Sequence, residues 1–240
     1  MSKAKSIIIT IMEGESDKSA LGILFSEFFN TDDVCFVLAR GDITSKNGIK
    51  KTNIITEIQK IIEEEKKKYN FQWRDVIRII HIVDTDGAFT HNYVENKDLN
   101  DFLYYEDHIE AKSILAIEAR NKQKSELMLK LYSTGKIRNI PYRVYYNSRN
   151  LEHVLHDILI NLSDEEKQQL ADDFSLKYEG HLQDFIEFVS SNRIAVSGSY
   201  KETWKFIQEG LNSLHRYSNM HQIFQTEQEV VPKDTQGQNP

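Results

Sequence analysis

Two acidic motifs, 71 positions apart, each follow an apolar run. Glu13-Gly14-Glu15-Ser16-Asp17 follows Ile7 to Ile11, and Asp84-Thr85-Asp86-Gly87 follows Ile77 to Val83. Open parallel sheets build their sites where buried strands emerge into loops. Carboxylates gathered there repel one another unless a cation lies between them, and hard ions such as magnesium and manganese prefer oxygen ligands. The pattern predicts a divalent-cation site, and metal-dependent phosphodiester chemistry is our interpretation of it.

Alternating strands and helices are predicted to position these motifs. Apolar, β-branched runs indicate strands at 6–13, 34–39 and 76–83, since a strand buried on both faces is continuously apolar. A helix capped by Ser16 follows the first strand, with Leu21, Leu24, Phe25 and Phe28 on one face, and a second helix is expected at 49–69. This order predicts an α/β fold, a mostly parallel sheet flanked by helices.

The rest of the chain is less regular. Residues 87–112 are acidic and aromatic, and they form either a lid or an insertion packed on the sheet edge. A helix at 117–133 and a strand at 142–146 should complete the first domain, residues 1–147. Helical patterns then predict a C-terminal extension over 148–224, with helices at 150–161, 164–177, 180–192 and 199–219. The polar tail, 225–240, is expected to be disordered.

Charge is distributed unevenly along the chain. The 240 residues carry a net charge of −7, but residues 112–149 hold nine basic side chains against two acidic ones. This segment is therefore +7 and the remainder −14. It is either a face that follows nucleic-acid phosphates or a solvated lysine-rich helix.

Cysteine usage and hydropathy bear on the setting. The single cysteine, Cys35, lies in an apolar strand and allows no disulfide within the chain, which fits a reducing, cytoplasmic environment. The first residues do not form a signal peptide, because Glu13 interrupts a short apolar run. No stretch is apolar for long enough to predict a membrane span.

An apolar strand ending in Glu-Gly, followed by one ending in Asp-x-Asp, resembles the TOPRIM domain of topoisomerases, primases and several nucleases. The matching residues are Glu13, Asp84 and Asp86, and the resemblance covers about residues 6–147. It implies a TOPRIM-like, Rossmann-like domain. It also implies that Glu13 assists acid–base chemistry while Asp84 and Asp86 hold magnesium or manganese.

Within TOPRIM proteins, the first motif is closer to the overcoming-lysogenisation-defect (OLD) nucleases, which have a second acid four residues after the first. Asp17 matches that acid, and Glu152 matches another that opens a helix after the fourth strand. The resemblance implies that these two help to hold a site of two metal ions. Both also suit a helix N-terminus without any metal. Ser148 is a candidate for an outer-shell hydroxyl.

Several basic residues are candidates for binding the substrate backbone or stabilising developing charge. Each is equally explained as an ordinary surface side chain. They are Lys18, Arg120, Lys122, Lys124 and Arg149.

A nuclease acting on DNA or RNA is the function that the resemblance favours. The chain has no Gly-x-x-x-x-Gly-Lys-Ser/Thr loop, and OLD nucleases carry or accompany an ABC-type ATPase, often in defence against phage. A separate ATPase partner is therefore expected. Two alternatives stay open. The apolar C-terminal helices suit an adaptor that docks an ATPase or a second copy of the chain, and Asp84-Thr85-Asp86-Gly87 resembles the first motif of haloacid-dehalogenase phosphatases.

Overall fold

A five-stranded sheet forms the centre of the protein. The computed structural model describes residues 6–30, 34–40 and 43–227. The eight strands are β1 (Ser6–Met12), β2 (Val34–Arg40), β3 (Val76–Asp84), β4 (Tyr93–Glu95), β5 (Leu103–Tyr104), β6 (Ile109–Ala111), β7 (Lys136–Ile137) and β8 (Ile140–Asn147). The central sheet has the order β2-β1-β3-β8-β7, in which β2, β1, β3 and β8 are parallel and β7 forms an antiparallel hairpin with β8.

Helices cover both faces of this sheet, which confirms the α/β prediction. They are α1 (Glu15–Phe29), α2 (Ile54–Tyr69), α3 (Ile114–Tyr132), α4 (Leu151–His156), α5 (Asp164–Tyr178), α6 (Leu182–Val189), α7 (Tyr200–Ile207) and α8 (His221–Glu227). A short 3₁₀ turn, Trp73–Asp75, leads into β3. Since a crossover helix joins each successive pair of parallel strands, the carboxyl ends of β1, β3 and β8 meet at one edge.

The two faces of the sheet have separate hydrophobic cores. Ile9 and Ile79 point to the face covered by α2, α3 and α7, and Ile8 and Ile80 point to the face covered by α1, α5, α6 and α8. Alternate side chains of one strand therefore enter different cores, and both sets are apolar. His81 is buried in β3, where its ring nitrogen Nδ1 bonds the Tyr142 hydroxyl at 2.8 Å, so it is a core histidine.

The C-terminal helices close the protein's own core. Phe174, Phe185, Phe224 and Trp204 are buried, and α5 packs along α1. Burying aromatic side chains of this size is a large part of a core's stabilisation. The helical extension is therefore packed onto the sheet rather than held apart from it.

Several element boundaries differ from the prediction. Gly14, and not Ser16, precedes α1, and the Asp17 carboxylate accepts a hydrogen bond from the Gly14 N–H at 3.0 Å. Helix α2 begins at Ile54, after turns that occupy 49–53. The fourth helical pattern is helical only over α7, because residues 208–219 run as turns across the sheet edge.

The predicted insertion folds as a small sheet rather than as irregular structure. Strands β4, β6 and β5 pair in that order, and Ile109 and Ala111 bury one face against Ile117 and Leu214. Tyr93, Phe102 and Tyr104 pack around this cluster. Most of the aromatic residues of the insertion therefore fill a satellite core beside the main sheet.

Two further predictions concern the chain ends and membrane spans. Residues 225–227 belong to α8, and the remainder of the predicted disordered tail lies outside the described residues, as does the side chain of Cys35. Across the described ranges, no helix is both long enough and apolar enough to cross a bilayer.

Candidate functional site

The loops after β3 and β8 are joined by backbone hydrogen bonds. The Thr85 N–H donates to the Asn147 carbonyl at 2.9 Å, and the Asp86 N–H donates to the Arg149 carbonyl at 2.7 Å. The Arg149 N–H in turn donates to the Thr85 hydroxyl at 2.8 Å. These bonds continue the parallel pairing beyond the sheet, so they fix Asp84 and Asp86 relative to the start of α4.

The backbone at Asp86 and Gly87 makes a sharp turn. Asp86 has φ of 45° and Gly87 has φ of 65°, both in the left-handed region. A Cβ at position 87 would lie 2.6 Å from Leu214 and 2.9 Å from Ile109, so only glycine fits there. An aspartate in this conformation is uncommon, and such strain concentrates at functional sites. The turn directs Asp86 toward α3.

The five predicted acidic residues meet in one cleft at the carboxyl ends of β1, β3 and β8. Its volume is about 300 Å³. Its lining residues are Glu13, Gly14, Ser16, Asp17, Ser45, Asp84, Asp86, Asn150, Glu152 and Lys167. Residues from four separate parts of the sequence therefore build a single polar cleft, in the position where parallel sheets bind ligands.

Asp86 is held by two cationic side chains from α3. The ammonium group of Lys124, which is only 1% exposed, contacts the Asp86 carboxylate and also donates to the Ser45 hydroxyl at 3.0 Å. Arg120 lies 2.9 Å from the same carboxylate oxygen and donates to the Asp86 carbonyl at 2.8 Å. Burial alone would raise the pKa of Asp86, but Lys124 and then Arg120 outweigh it, so its pKa is lowered and Asp86 is ionised.

Asp84 lies beside Asp86 without a cationic partner of its own. Asn147, its neighbour in the sheet, donates an amide hydrogen bond to the Asp84 carboxylate at 3.2 Å. Burial raises the pKa of Asp84 well above its usual range, and the charges of Asp17, Glu13, Asp86 and Glu152 raise it further. The cleft thus holds more negative charge at Asp84 than its own cations neutralise.

Asp17 and Glu152 face each other across the cleft from α1 and α4. Asp17 is 8% exposed and Glu152 9% exposed. Burial raises the pKa of Asp17 to about 6, the hydrogen bond from the Gly14 N–H opposes this rise, and the charge of Glu152 adds to it. A helix N-terminus alone would lower the pKa of Asp17, so crowding of carboxylates and burial dominate its electrostatics.

Glu13 is oriented by the loop that follows β2. Thr44 is buried and donates its hydroxyl hydrogen bond to Glu13 at 2.9 Å. The next residue, Ser45, contacts Lys124. Residues 44–45 therefore connect the first acidic motif with the cations of α3.

Lys167 is a site residue that sequence reasoning missed. It lies on α5, which Gln168 ties to α1 by a 2.8 Å hydrogen bond to Ser19. Within the described part of the chain, the Lys167 side chain forms no hydrogen bond or ion pair. Its charge nevertheless acts on Asp17 and Asp86, where it lowers the pKa. An unpaired ammonium at an acidic cleft is available to an anionic ligand.

The other predicted basic residues are distributed differently. Lys18 lies 3.4 Å from Glu15 on the surface of α1, and Lys122 is exposed on another face of α3. Arg149 is 2% exposed, bonds the Leu159 carbonyl and lies over the Tyr104 ring at 5.0 Å, so it is covered by the small sheet. Ser148 is fully buried and donates its backbone N–H to the Tyr217 carbonyl.

The basic segment at 112–149 does not form one continuous surface. Lys124 and Arg120 face the cleft, Arg138 lies over Trp73 and Arg143 lies over Tyr200. A run of positive charge in the sequence is therefore divided among several sites in the structure.

The chemistry of the cleft suits a divalent cation. Five carboxylates face three cationic side chains, Lys124, Arg120 and Lys167, which leaves about two negative charges uncompensated. As the side chains lie, no set of three or more His, Cys, Asp or Glu groups in the described ranges is arranged around a common point to hold a metal. A bound ion would therefore need side-chain rotation, which Asp86 could make only by loosening its contact with Lys124.

Comparisons with protein-family models, with curated proteins and with solved structures each give no match for this chain. Functional inference therefore depends on the geometry and charge of the cleft.

Proposed function

We propose that this protein is a divalent-metal-dependent nuclease with a TOPRIM-like catalytic domain. The observation that carries the proposal is the meeting of Glu13, Asp17, Asp84, Asp86 and Glu152 in one cleft at the carboxyl ends of three parallel strands. Structural carboxylates normally pair with cations or hydrogen-bond donors. A surplus of clustered, partly buried carboxylates instead suits magnesium or manganese, which phosphodiester-cleaving sites commonly use.

Each acid has a distinct place in this proposal. Asp84, Asp17 and Glu152 are the carboxylates with the least compensation by cations, so they would hold the metal. When bound, the metal would polarise the phosphoryl group and lower the pKa of a water molecule. Glu13, oriented by Thr44, would take a proton from the attacking water or return one to the leaving oxygen.

Charge balance favours one tightly held ion before substrate binds. The two uncompensated negative charges match one divalent cation. A second ion, as in the two-metal arrangement that the sequence predicts, would need further negative charge. Substrate phosphate would provide that charge, because magnesium is usually held by one or two carboxylates together with substrate phosphates.

The cations of the cleft would act on the substrate. Lys124 and Arg120 hold Asp86 in place and add positive charge beside it, and Lys167 faces the same cleft without a partner among the described residues. Positive groups fixed where negative charge develops are a major source of rate enhancement. The cleft therefore has both a proton-transfer group and charge stabilisation.

Manganese-dependent cleavage of plasmid, single-stranded DNA and total RNA is the direct test. The site variant is Asp84→Asn, which removes a charge and keeps the shape of the side chain. The matched control is Asp184→Asn, because Asp184 is 69% exposed on α6 and does not line the cleft. We expect cleavage by the wild type and the control, and loss of cleavage in the site variant.

Other outcomes would support the alternative functions. Hydrolysis of p-nitrophenyl phosphate without cleavage of nucleic acid would favour a phosphatase that uses Asp84 and Asp86. A folded wild type that binds manganese but acts on neither substrate would favour an adaptor, or a nuclease released by an ABC-type ATPase partner. Adding that ATPase to the assay would then separate the last two.

A further inference from the structure

A basic groove lies beside the carboxylate cleft, on a neighbouring face of α3. Its volume is about 440 Å³. It is lined by Gly48, Ile49, Lys50, Lys51, Ala119, Lys122, Gln123, Glu126 and Leu127. None of these residues lines the carboxylate cleft, so the groove is a separate feature of the surface.

The groove and the cleft share the same two walls. In the loop after β2, Ser45 contacts the cleft lysine Lys124, and Gly48 lies in the groove only three residues later. Three residues span at most about 10 Å. On α3, Lys124 faces the cleft and the adjacent Gln123 lines the groove. A polymer bound in the cleft would therefore reach the groove within a few monomer units.

Positive charge predominates in the groove. Lys50, Lys51 and Lys122 are exposed, and Glu126 is the only acidic side chain that lines it. Lys51 and Glu126 lie 3.1 Å apart, with 56% and 42% of their side chains exposed. An exposed ion pair contributes little stability, so Lys51 can exchange Glu126 for a phosphate at small cost. This is a local positive site on a chain of net charge −7.

The floor of the groove is apolar and its loop is held in place. Ile49 and Leu127 are buried. Gln123 donates to the Ile49 carbonyl at 3.3 Å, and Asn53 both accepts from the Lys50 N–H at 2.7 Å and donates to the Gly48 carbonyl at 3.1 Å. Because the loop is already fixed by these bonds, little conformational entropy remains to be lost when a ligand binds.

We propose that this groove binds the nucleic-acid strand beside the scissile phosphate. Backbone phosphates would contact Lys50, Lys51 and Lys122, and a sugar or base would lie against the apolar floor. The inference rests on the proposed nuclease function and specifies where its substrate is held. No side chain of the groove is arranged to read a base edge in the described structure, so recognition is expected to be independent of sequence.

The size of the groove favours a single strand. Its volume lies in the range of small-molecule pockets, about 300–1,000 Å³. A duplex presents a major groove about 12 Å wide and would rest on the rims instead of entering. The substrate class is therefore a flexible single strand or an unpaired end.

Fluorescence anisotropy with a labelled oligothymidylate tests the groove apart from catalysis. Binding is measured with calcium in place of magnesium, as a function of salt, for wild type and for Lys50→Ala/Lys51→Ala/Lys122→Ala. The control is Lys68→Ala/Lys201→Ala/Lys205→Ala, which removes three exposed lysines elsewhere. Thermal unfolding checks that both triple variants are folded.

We expect the groove variant to bind roughly tenfold more weakly or worse, with a salt dependence of log K that is shallower by about 2, since each lost contact to a single strand removes about 0.7. The control should match the wild type. Equal binding by the groove variant and the wild type, or no binding by the wild type, would overturn the inference. Binding that depends on the groove without any cleavage by the wild type would support the groove and reject the nuclease proposal. Cleavage with unchanged binding would do the reverse.

Discussion

The ammonium group of Lys124 is buried in contact with the carboxylate of Asp86, at the turn where β3 leaves the sheet. A charge in this position would be unstable without an opposite charge beside it. The pair therefore places a fixed cation among five carboxylates, and it makes Asp86 different from Asp84, which accepts an amide hydrogen bond from Asn147 instead. Two aspartates of one motif are thus assigned to different electrostatic environments.

The first prediction concerns this pair. Lys124→Met should destabilise the protein by about 3 kcal/mol, because Asp86 keeps only Arg120, and removing one partner of a buried pair leaves an uncompensated charge. Urea unfolding measures the loss. Lys124→Met/Asp86→Asn should recover most of it, since no unpaired charge then remains. A double variant as unstable as the single one would mean that packing of the lysine stem, and not the ion pair, matters.

The second prediction concerns metal binding. Manganese at about 100 times its Kd should stabilise the wild type by about 2.7 kcal/mol, which for a chain of this size raises the Tm by roughly 5–10 °C. Titration calorimetry should show one tight site without substrate, because only two negative charges of the cleft are uncompensated. Asp84→Asn should abolish the thermal shift and Asp184→Asn should keep it. Two equally tight ions in the free protein would contradict the charge count.

The third prediction separates two effects of Lys167. Lys167→Met removes a positive charge from the acidic cleft, so manganese should bind more tightly while the nucleic-acid substrate binds about tenfold more weakly. Lys167→Arg should restore substrate binding because it keeps the charge. A residue that served only to stabilise the fold would weaken both kinds of binding together, and calorimetry with oligonucleotide anisotropy distinguishes the cases.

Patterns of hydrophobicity predict the sheet well because they are local. Continuous apolar runs mark β1 and β3, since both faces of these strands are covered. The two acidic motifs are visible for the same reason, because each follows such a run. What meets the motifs across the cleft is less visible in the sequence. Lys167 lies 81 residues beyond Asp86, in a helix whose sequence pattern is polar, and only the packing of α5 on α1 brings it to the site.

Misplaced boundaries also have physical causes. The segment after α7 has a helical composition, yet residues 208–219 form turns because their carbonyls are used elsewhere. Ser213 accepts a hydrogen bond from the Thr85 hydroxyl, and Tyr217 accepts one from the Ser148 N–H. These tertiary bonds support the loops that position Asp84 and Glu152. Local propensity does not include such long-range partners.

The fourth prediction is a pH dependence that arises from Asp17. Its pKa is about 6 in the folded protein against an ordinary value of 3.8, so the folded state binds the proton more tightly than the unfolded state. The stability of the metal-free protein should therefore fall as the pH rises from about 4 to about 6, by up to about 3 kcal/mol, and then stay lower. Asp17→Asn keeps an oxygen that can accept the Gly14 hydrogen bond, so it isolates the charge.

Urea unfolding of wild type and Asp17→Asn at about pH 4 and about pH 7 measures this effect. We expect similar stability near pH 4, where the folded wild type is protonated, and a more stable variant near pH 7. Saturating manganese should reverse the order near pH 7, because the metal binds the ionised carboxylate of the wild type and stabilises only the folded state. A variant that gains nothing near pH 7 would show that Asp17 is not electrostatically crowded. An order that manganese leaves unchanged would remove Asp17 from the metal ligands.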